Sequence, residues 1–270
     1  MPPQLRPHIL LFTVNLIYGA NYSIAKIALP EFIGPFGFIV IRVVCATAMY
    51  WVFHKTFIKE KVDKKDLPLL AACGLFGVAI NQMMFFKGLS ITTEINAALI
   101  MITTPILVLL ISHLVLREAI TFLKILGVLL GAAGVAMLIL SGKNAAVTSG
   151  RLWGDIFVLI NAASYGIYLV LVKSLMKKYH PITVVKWVFF FGMFVVVPTG
   201  FKELTVVEWN VMPEKVWLAL VYVVVFTTFF AYLLNAAALK DANPSLVSTY
   251  IYTQPLIASI IAISVGNDSL

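Results

Sequence analysis

At 270 residues, 61% of them hydrophobic and only 12% charged, the chain has too little charge to clothe a water-facing surface; soluble domains carry about 25% charged residues. A soluble globular enzyme is thereby excluded, and apolar blocks that recur from end to end exclude a single membrane anchor. The formal charge of +8 would point a soluble protein toward nucleic acid, so its meaning depends on where the cations fall between the blocks.

Crossing the hydrocarbon core takes roughly 20 apolar residues per helix, which leaves room here for roughly nine or ten spans. The first block, 8–29, follows Arg6 in the manner of a signal peptide, but Asn15, Tyr18 and Asn21 interrupt it. It is read as an uncleaved first helix. Helices are then expected over 36–57, 67–86, 95–116 and 122–140. A small polar linker, 142–151, separates a first unit, 1–141, from a second, 152–270. The second unit is expected to hold helices over 152–175, 183–201, 216–239 and 245–265. Barrel strands alternate over about 10 residues, and these blocks are too long and too evenly apolar for them. Cys45 and Cys73 both lie inside apolar blocks, against a disulfide framework or a zinc site. Trp51, Trp153, Trp187, Trp209 and Trp217 fall at block ends or in a loop, where indoles favour the headgroup region.

The cations are unevenly divided. One side collects 13 of the 20, from Arg6 and the lysines of 55–65 through Arg117, Lys124, Lys173, Lys177, Lys178 and Lys186 to Lys240. The opposite loops hold 5, and Lys26 and Arg42 fall within helices. Lysine and arginine gather in cytoplasmic loops, so the N-terminus is expected in the cytoplasm. The positive charge becomes a topology signal, and no nucleic-acid partner is expected.

The two units match each other. Tyr18-Gly19 with Lys26 recurs as Tyr165-Gly166 with Lys173 at an offset of 147, and Thr104-Pro105 recurs as Gln254-Pro255 at 150. Leu89 pairs with Leu239, and Glu118 with Asp268, at that second offset. Five spans per unit is an odd number, so the second unit enters the membrane in the opposite sense, as in inverted-repeat transporters. By the same offset a glycine-rich helix should follow Asp268, where only Ser269 and Leu270 remain. The chain is read as truncated, with nine helices of a ten-helix, five-plus-five bundle present.

This pattern resembles the EamA-type carriers of the drug/metabolite transporter superfamily. The resemblance rests on Tyr18-Gly19 with Lys26, Arg42, Pro105, Leu116-Arg117-Glu118, the glycines of 122–140, Gly154-Asp155 and Pro255. It covers essentially the whole chain. It implies a ten-helix inverted-repeat carrier that exports or imports small metabolites, amino acids or drugs.

Polar groups inside a bilayer are costly and usually face the bundle interior or a watery cavity. Candidates for a solute site are Tyr18 and Asn21 in helix 1, Arg42 in helix 2, Asn81 in helix 3 and Asn96 in helix 4, followed by Tyr165 and Tyr168 in helix 6, Asn235 in helix 8, and Tyr252 and Gln254 in helix 9. Gln82, Asn161 and Tyr232 lie on the same helices. Each such group can instead be glue between helices, at about 0.6 kcal/mol. Arg42 can attract a carboxylate or tie helix 2 to a neighbour's carbonyls; Lys26 is close enough to a helix end to snorkel. Pro105 and Pro255 each remove a backbone donor, which makes either a gating hinge or a static kink repaired by threonine hydroxyls. Gly127, Gly131 and Gly134 form a small-residue face, suited to packing in the bundle or to a homodimer.

The expected protein is thus an all-α, multi-pass carrier of the bacterial cytoplasmic (inner) membrane. It would move a small neutral or zwitterionic, amino-acid-like solute outward by alternating access, without metal or cofactor. A nucleotide-sugar or sugar-phosphate exchanger would need several cations in its cavity, and Arg42 is the one well placed. A non-transport membrane protein, such as an intramembrane enzyme or a receptor, finds no HExxH, G-x-S-x-G or P-loop to work with.

Overall fold

The computed structural model describes residues 5–25, 27–29, 31–92, 94–141 and 152–264, and every regular element among them is helical. The first helix, α1, is Arg6–Ala25 and α2 is Pro35–Phe57. α1 stops short of the expected residue 29 because the N–H groups of Ala28 and Leu29 both turn back onto the Ala25 carbonyl. α3, Lys64–Leu89, contains a wide π-helical turn at Leu75–Ile80. The fourth block is broken into α4, Glu94–Met101, and α5, Thr104–Leu116, and α5 ends where Arg117 enters the left-handed region at φ 55°. α6 is Phe122–Ser141, α7 is Leu152–Lys178 and α8 is Pro181–Thr205. α9, Glu214–Asp241, has its own π-helical turn at Val223–Phe230. The last block is broken as the fourth is, into α10, Pro244–Thr249, a single tight turn at Tyr250–Tyr252, and α11, Thr253–Ser264. Prolines at the first or second position open α2, α8 and α10, where the missing N–H has no helical partner to lose.

Among the described residues six stretches are long and apolar enough to cross a membrane: Pro35–Phe57, Lys64–Leu89, Leu99–Leu116, Leu152–Lys178, Pro181–Thr205 and Glu214–Asp241. α1 and α11 are not among the six, and α6 enters as a shorter apolar helix, Phe122–Gly134. Large apolar side chains point outward along α5 and α6; Leu114 is 78% exposed and Leu123 77%. A soluble monomer rarely tolerates such a surface, whereas lipid tails cover it.

The helices interleave the two halves of the chain. α1 packs on α9 and α11, α7 packs on α3, α4 and α5, and α2 runs along α8. Small residues set the closest approaches: a Cβ on Gly74 would lie 2.7 Å from the Val188 carbonyl oxygen and 2.8 Å from the Gly192 nitrogen, so α3 and α8 meet backbone to backbone. Gly131 lies against the Tyr252 ring, whereas a Cβ at Gly127 or Gly134 would meet nothing within 4 Å among the described residues. The glycine face of α6 is thus used inside the bundle at one position and open at the other two.

Two lysines expected among the loop cations are buried. Lys173 is 8% exposed, and its ammonium donates to the carbonyls of Leu239 (2.6 Å), Lys240 (3.2 Å) and Ala242 (2.6 Å), closing the C-terminal end of α9. Lys186, 5% exposed, lies 3.2 Å from His54 Nδ1 and over the faces of Trp51 and Trp187. A long stem reaches these positions from an interfacial helix end, and orphan carbonyls or indole faces replace water around the charge. Trp209 and Trp217 pair at 5.9 Å at the other end of α8.

Candidate functional site

α2 carries Arg42 into the middle of the bundle, where it is only 5% exposed. Its Nε donates to Thr228 Oγ1 at 3.0 Å, and the guanidinium lies 5.8 Å from the Phe38 ring centre and 5.7 Å from that of Phe86. No carboxylate pairs with it among the described residues. Its electrostatic neighbours are the phenols Tyr232 and Tyr18, and those of Tyr18 include Tyr165 and Tyr50.

The phenols are organised by amides. Gln82 Nε2 donates to the Tyr232 hydroxyl at 3.2 Å and Asn235 Nδ2 to the Tyr165 hydroxyl at 2.8 Å. Each phenol oxygen therefore accepts, leaving its own O–H proton to donate onward. The other atoms of the same amides, Gln82 Oε1 and Asn235 Oδ1, are buried with no hydrogen-bond partner among the described residues. Such orphaned acceptors cost about 1–3 kcal/mol each, a cost that an arriving donor relieves. Tyr168, on the same helix face, lies 6.2 Å from Tyr165 ring to ring, and its own ring covers Gly77. The cluster thus offers one guanidinium and phenol protons for an anionic group, and two amide oxygens for a cationic or neutral donor.

The wide turns of α3 and α9 supply the scaffold. A π-helical turn leaves carbonyls out of register with the i−4 donors, and side chains occupy them: Tyr50 O–H donates to the carbonyls of Thr228 (3.0 Å) and Phe229 (2.7 Å), and Ser164 O–H to that of Phe76 (2.6 Å). Tyr50 is fully buried and stacks on Phe229. It was not among the sequence candidates. It lies eight residues, about two turns, beyond Arg42 on the same face of α2, and following that face would have found it.

Of the ten candidate site residues, Tyr18, Arg42, Tyr165, Tyr168 and Asn235 come together here. Asn81 and Asn161 instead exchange side-chain-to-backbone bonds between α3 and α7, at 3.5 and 2.7 Å. Asn21 accepts from Thr227, and Gln254 donates to Asn15, both helix-to-helix ties. The Asn96 side chain and Lys26 lie outside the described residues, as does Asp268. The breaks that precede Pro105 and Pro255 meet: Tyr252 O–H, at the second, donates to the Ile102 carbonyl at the first, 3.0 Å away and 150 positions apart. Threonine hydroxyls span both breaks alike, Thr103 to Ile100 O (2.6 Å) and Thr253 to Tyr250 O (2.7 Å).

Comparison with known proteins places this geometry in context. The model of the EamA-like transporter family matches residues 5–140 and again 152–270. A protein of Archaeoglobus fulgidus named "Uncharacterized transporter" is 30% identical, over 97% of this chain and 90% of its own length. "Uncharacterized transporter YyaM" of Bacillus subtilis is 24% identical, over 97% of this chain and 87% of its own. One solved crystal structure superposes with a TM-score of 0.78 at 16% identity, covering 98% of this chain and 89% of that one.

Proposed function

From the premise that the chain belongs to the EamA-like transporter family and is a multi-pass membrane protein, we propose that it exports a small zwitterionic or neutral metabolite of the amino-acid kind by alternating access. The observation that carries this reading is a buried Arg42 that has no carboxylate among the described residues, grouped with two amide oxygens that likewise find no partner there. A cargo carboxylate meets the guanidinium and the phenol protons of Tyr165 and Tyr232. A cargo ammonium or hydroxyl meets Gln82 Oε1 and Asn235 Oδ1. A nucleotide-sugar or sugar-phosphate exchanger is the weaker reading, because Arg42 is the one cation of this cluster among the described residues.

The same reading takes residues 1–141 and 152–270 as two inverted five-helix repeats. Its support is the exchange of partners, α1 on α9 and α11 and α7 on α3 and α5, with wide turns in both α3 and α9. Gln82 and Tyr232, themselves 150 positions apart, touch across the centre, as positions related by a two-fold axis would. The cation-rich end is assigned to the cytoplasm of a bacterial inner membrane.

The test is counterflow in proteoliposomes holding the purified full chain, across a panel of amino acids, sugars, nucleosides and sugar phosphates. At least one zwitterion should exchange faster than in empty liposomes, and Arg42→Ala and Tyr165→Ala should each slow it tenfold or more. The reading fails if no panel member moves, or if both variants transport at the parent rate.

A further inference from the structure

Away from the central cluster, a half-open cleft of about 360 Å³ lies between the start of α1, the end of α2, the start of α8 and the end of α9. Its walls are apolar, with Leu10, Phe53 and Leu234 among them, and Arg6, His180 and Lys240 stand in its lining. These three residues belong to the cation-rich end of the bundle. The apolar wall of the cleft reaches the outside of the bundle, since Phe53 is 37% exposed and Phe57, in ring contact with it, 66%.

Charge in the cleft is positive. Arg6 donates to Asp241 at 3.0 Å but keeps half its side chain exposed, and Lys240 is exposed and makes no ion pair among the described residues. Glu60, the other nearby acid, accepts from the His180 backbone N–H at 2.9 Å. Burial, and then Lys240, hold the His180 ring below its ordinary value, so at neutral pH that ring is uncharged. Its Nδ1 accepts from the Ile182 N–H, which leaves Nε2–H as a donor. Two cations and one neutral donor at the mouth of an apolar groove suit a phosphate attached to a hydrocarbon chain. Basic pockets between helices at the headgroup level hold anionic lipids by this combination.

We propose that the cleft binds an anionic phospholipid of the surrounding bilayer, its phosphate between Arg6, Lys240 and His180 and an acyl chain along Phe53 and Leu234. The site is separate from the cargo cluster, and the inference stands whichever solute is carried and in whichever direction.

The experiment uses the purified full chain in detergent, with melting temperature and native mass spectrometry read against added phosphatidylglycerol or phosphatidylcholine of identical acyl chains. Phosphatidylglycerol should half-saturate at about fivefold lower concentration, the effect of one basic group near an anionic headgroup, and Lys240→Gln should remove that preference. Lys64→Gln, at the same end but outside the cleft, should keep it. Ala237→Trp, which fills the groove, should weaken both lipids. Equal binding of the two lipids, or an undiminished preference in Lys240→Gln, overturns the proposal. So does inorganic phosphate alone reproducing the melting shift, which would make this a site for a free anion.

Discussion

An arginine in the middle of a membrane bundle is among the most expensive residues to place there, about 2.5–3.5 kcal/mol on insertion scales. Arg42 has one threonine oxygen and two aromatic faces around it, enough to hold the guanidinium but not to neutralise it. Stability and transport should therefore separate at this residue. Arg42→Met should melt at the parent temperature or above it, while counterflow falls at least tenfold. A lower melting temperature with transport retained would make Arg42 structural. Tyr50 behaves in the opposite way, because its hydroxyl is spent entirely on the Thr228 and Phe229 carbonyls. Tyr50→Phe keeps the ring stack and loses both bonds. It should cost about 1–2 kcal/mol, seen as a lowered melting temperature, with cargo affinity unchanged.

Helix by helix, close approaches and helix ends are where single substitutions can be tested. Gly74→Ala would drive a methyl into the Val188 carbonyl and the Gly192 backbone, which neither helix can yield without parting. Gly127→Ala meets open space and gains up to about 1 kcal/mol of helix propensity. The first should lower the melting temperature by several degrees, and the second should hold or raise it. Lys173→Met should uncap α9, and amide exchange should accelerate around residues 239–242 while the middle of α9 stays protected. Much at this scale is legible in the sequence. Hydropathy places the helices to within a few residues, and Pro105 and Pro255 mark the two breaks. The wide turns of α3 and α9 leave no such mark, since stretches such as Leu75–Ile80 and Val223–Phe230 are as apolar as the regular helix around them. Nor does the sequence separate Asn81 from Gln82. The two are adjacent and equally polar, yet one ties α3 to α7 and the other faces Tyr232, because direction around a helix acquires meaning only once its neighbours are in place.

For the whole molecule, the proposed alternating access would require elements that can change their angle without dissolving the bundle. The breaks before Pro105 and Pro255 are suited to this, because at each the backbone tightens to shorter-range bonds, Thr103 N–H to Ile100 O and Thr253 N–H to Tyr250 O, with the threonine hydroxyl on the same carbonyl. Tyr252 joins them, donating from the second break to the Ile102 carbonyl of the first while its ring covers Gly131. If the breaks are hinges, as proposed, this bond would pass motion at one to the other. Tyr252→Phe removes that bond and leaves the ring contact intact. If the breaks move together during transport, the variant should bind cargo with parent affinity and exchange it at a changed rate. Gly131→Ala, which pushes the ring away, should shift the rate in the same direction. If instead Tyr252 contacts the cargo, affinity should fall and the maximal rate should hold. If the breaks are static kinks, neither quantity should move, and only the melting temperature should register the lost bond.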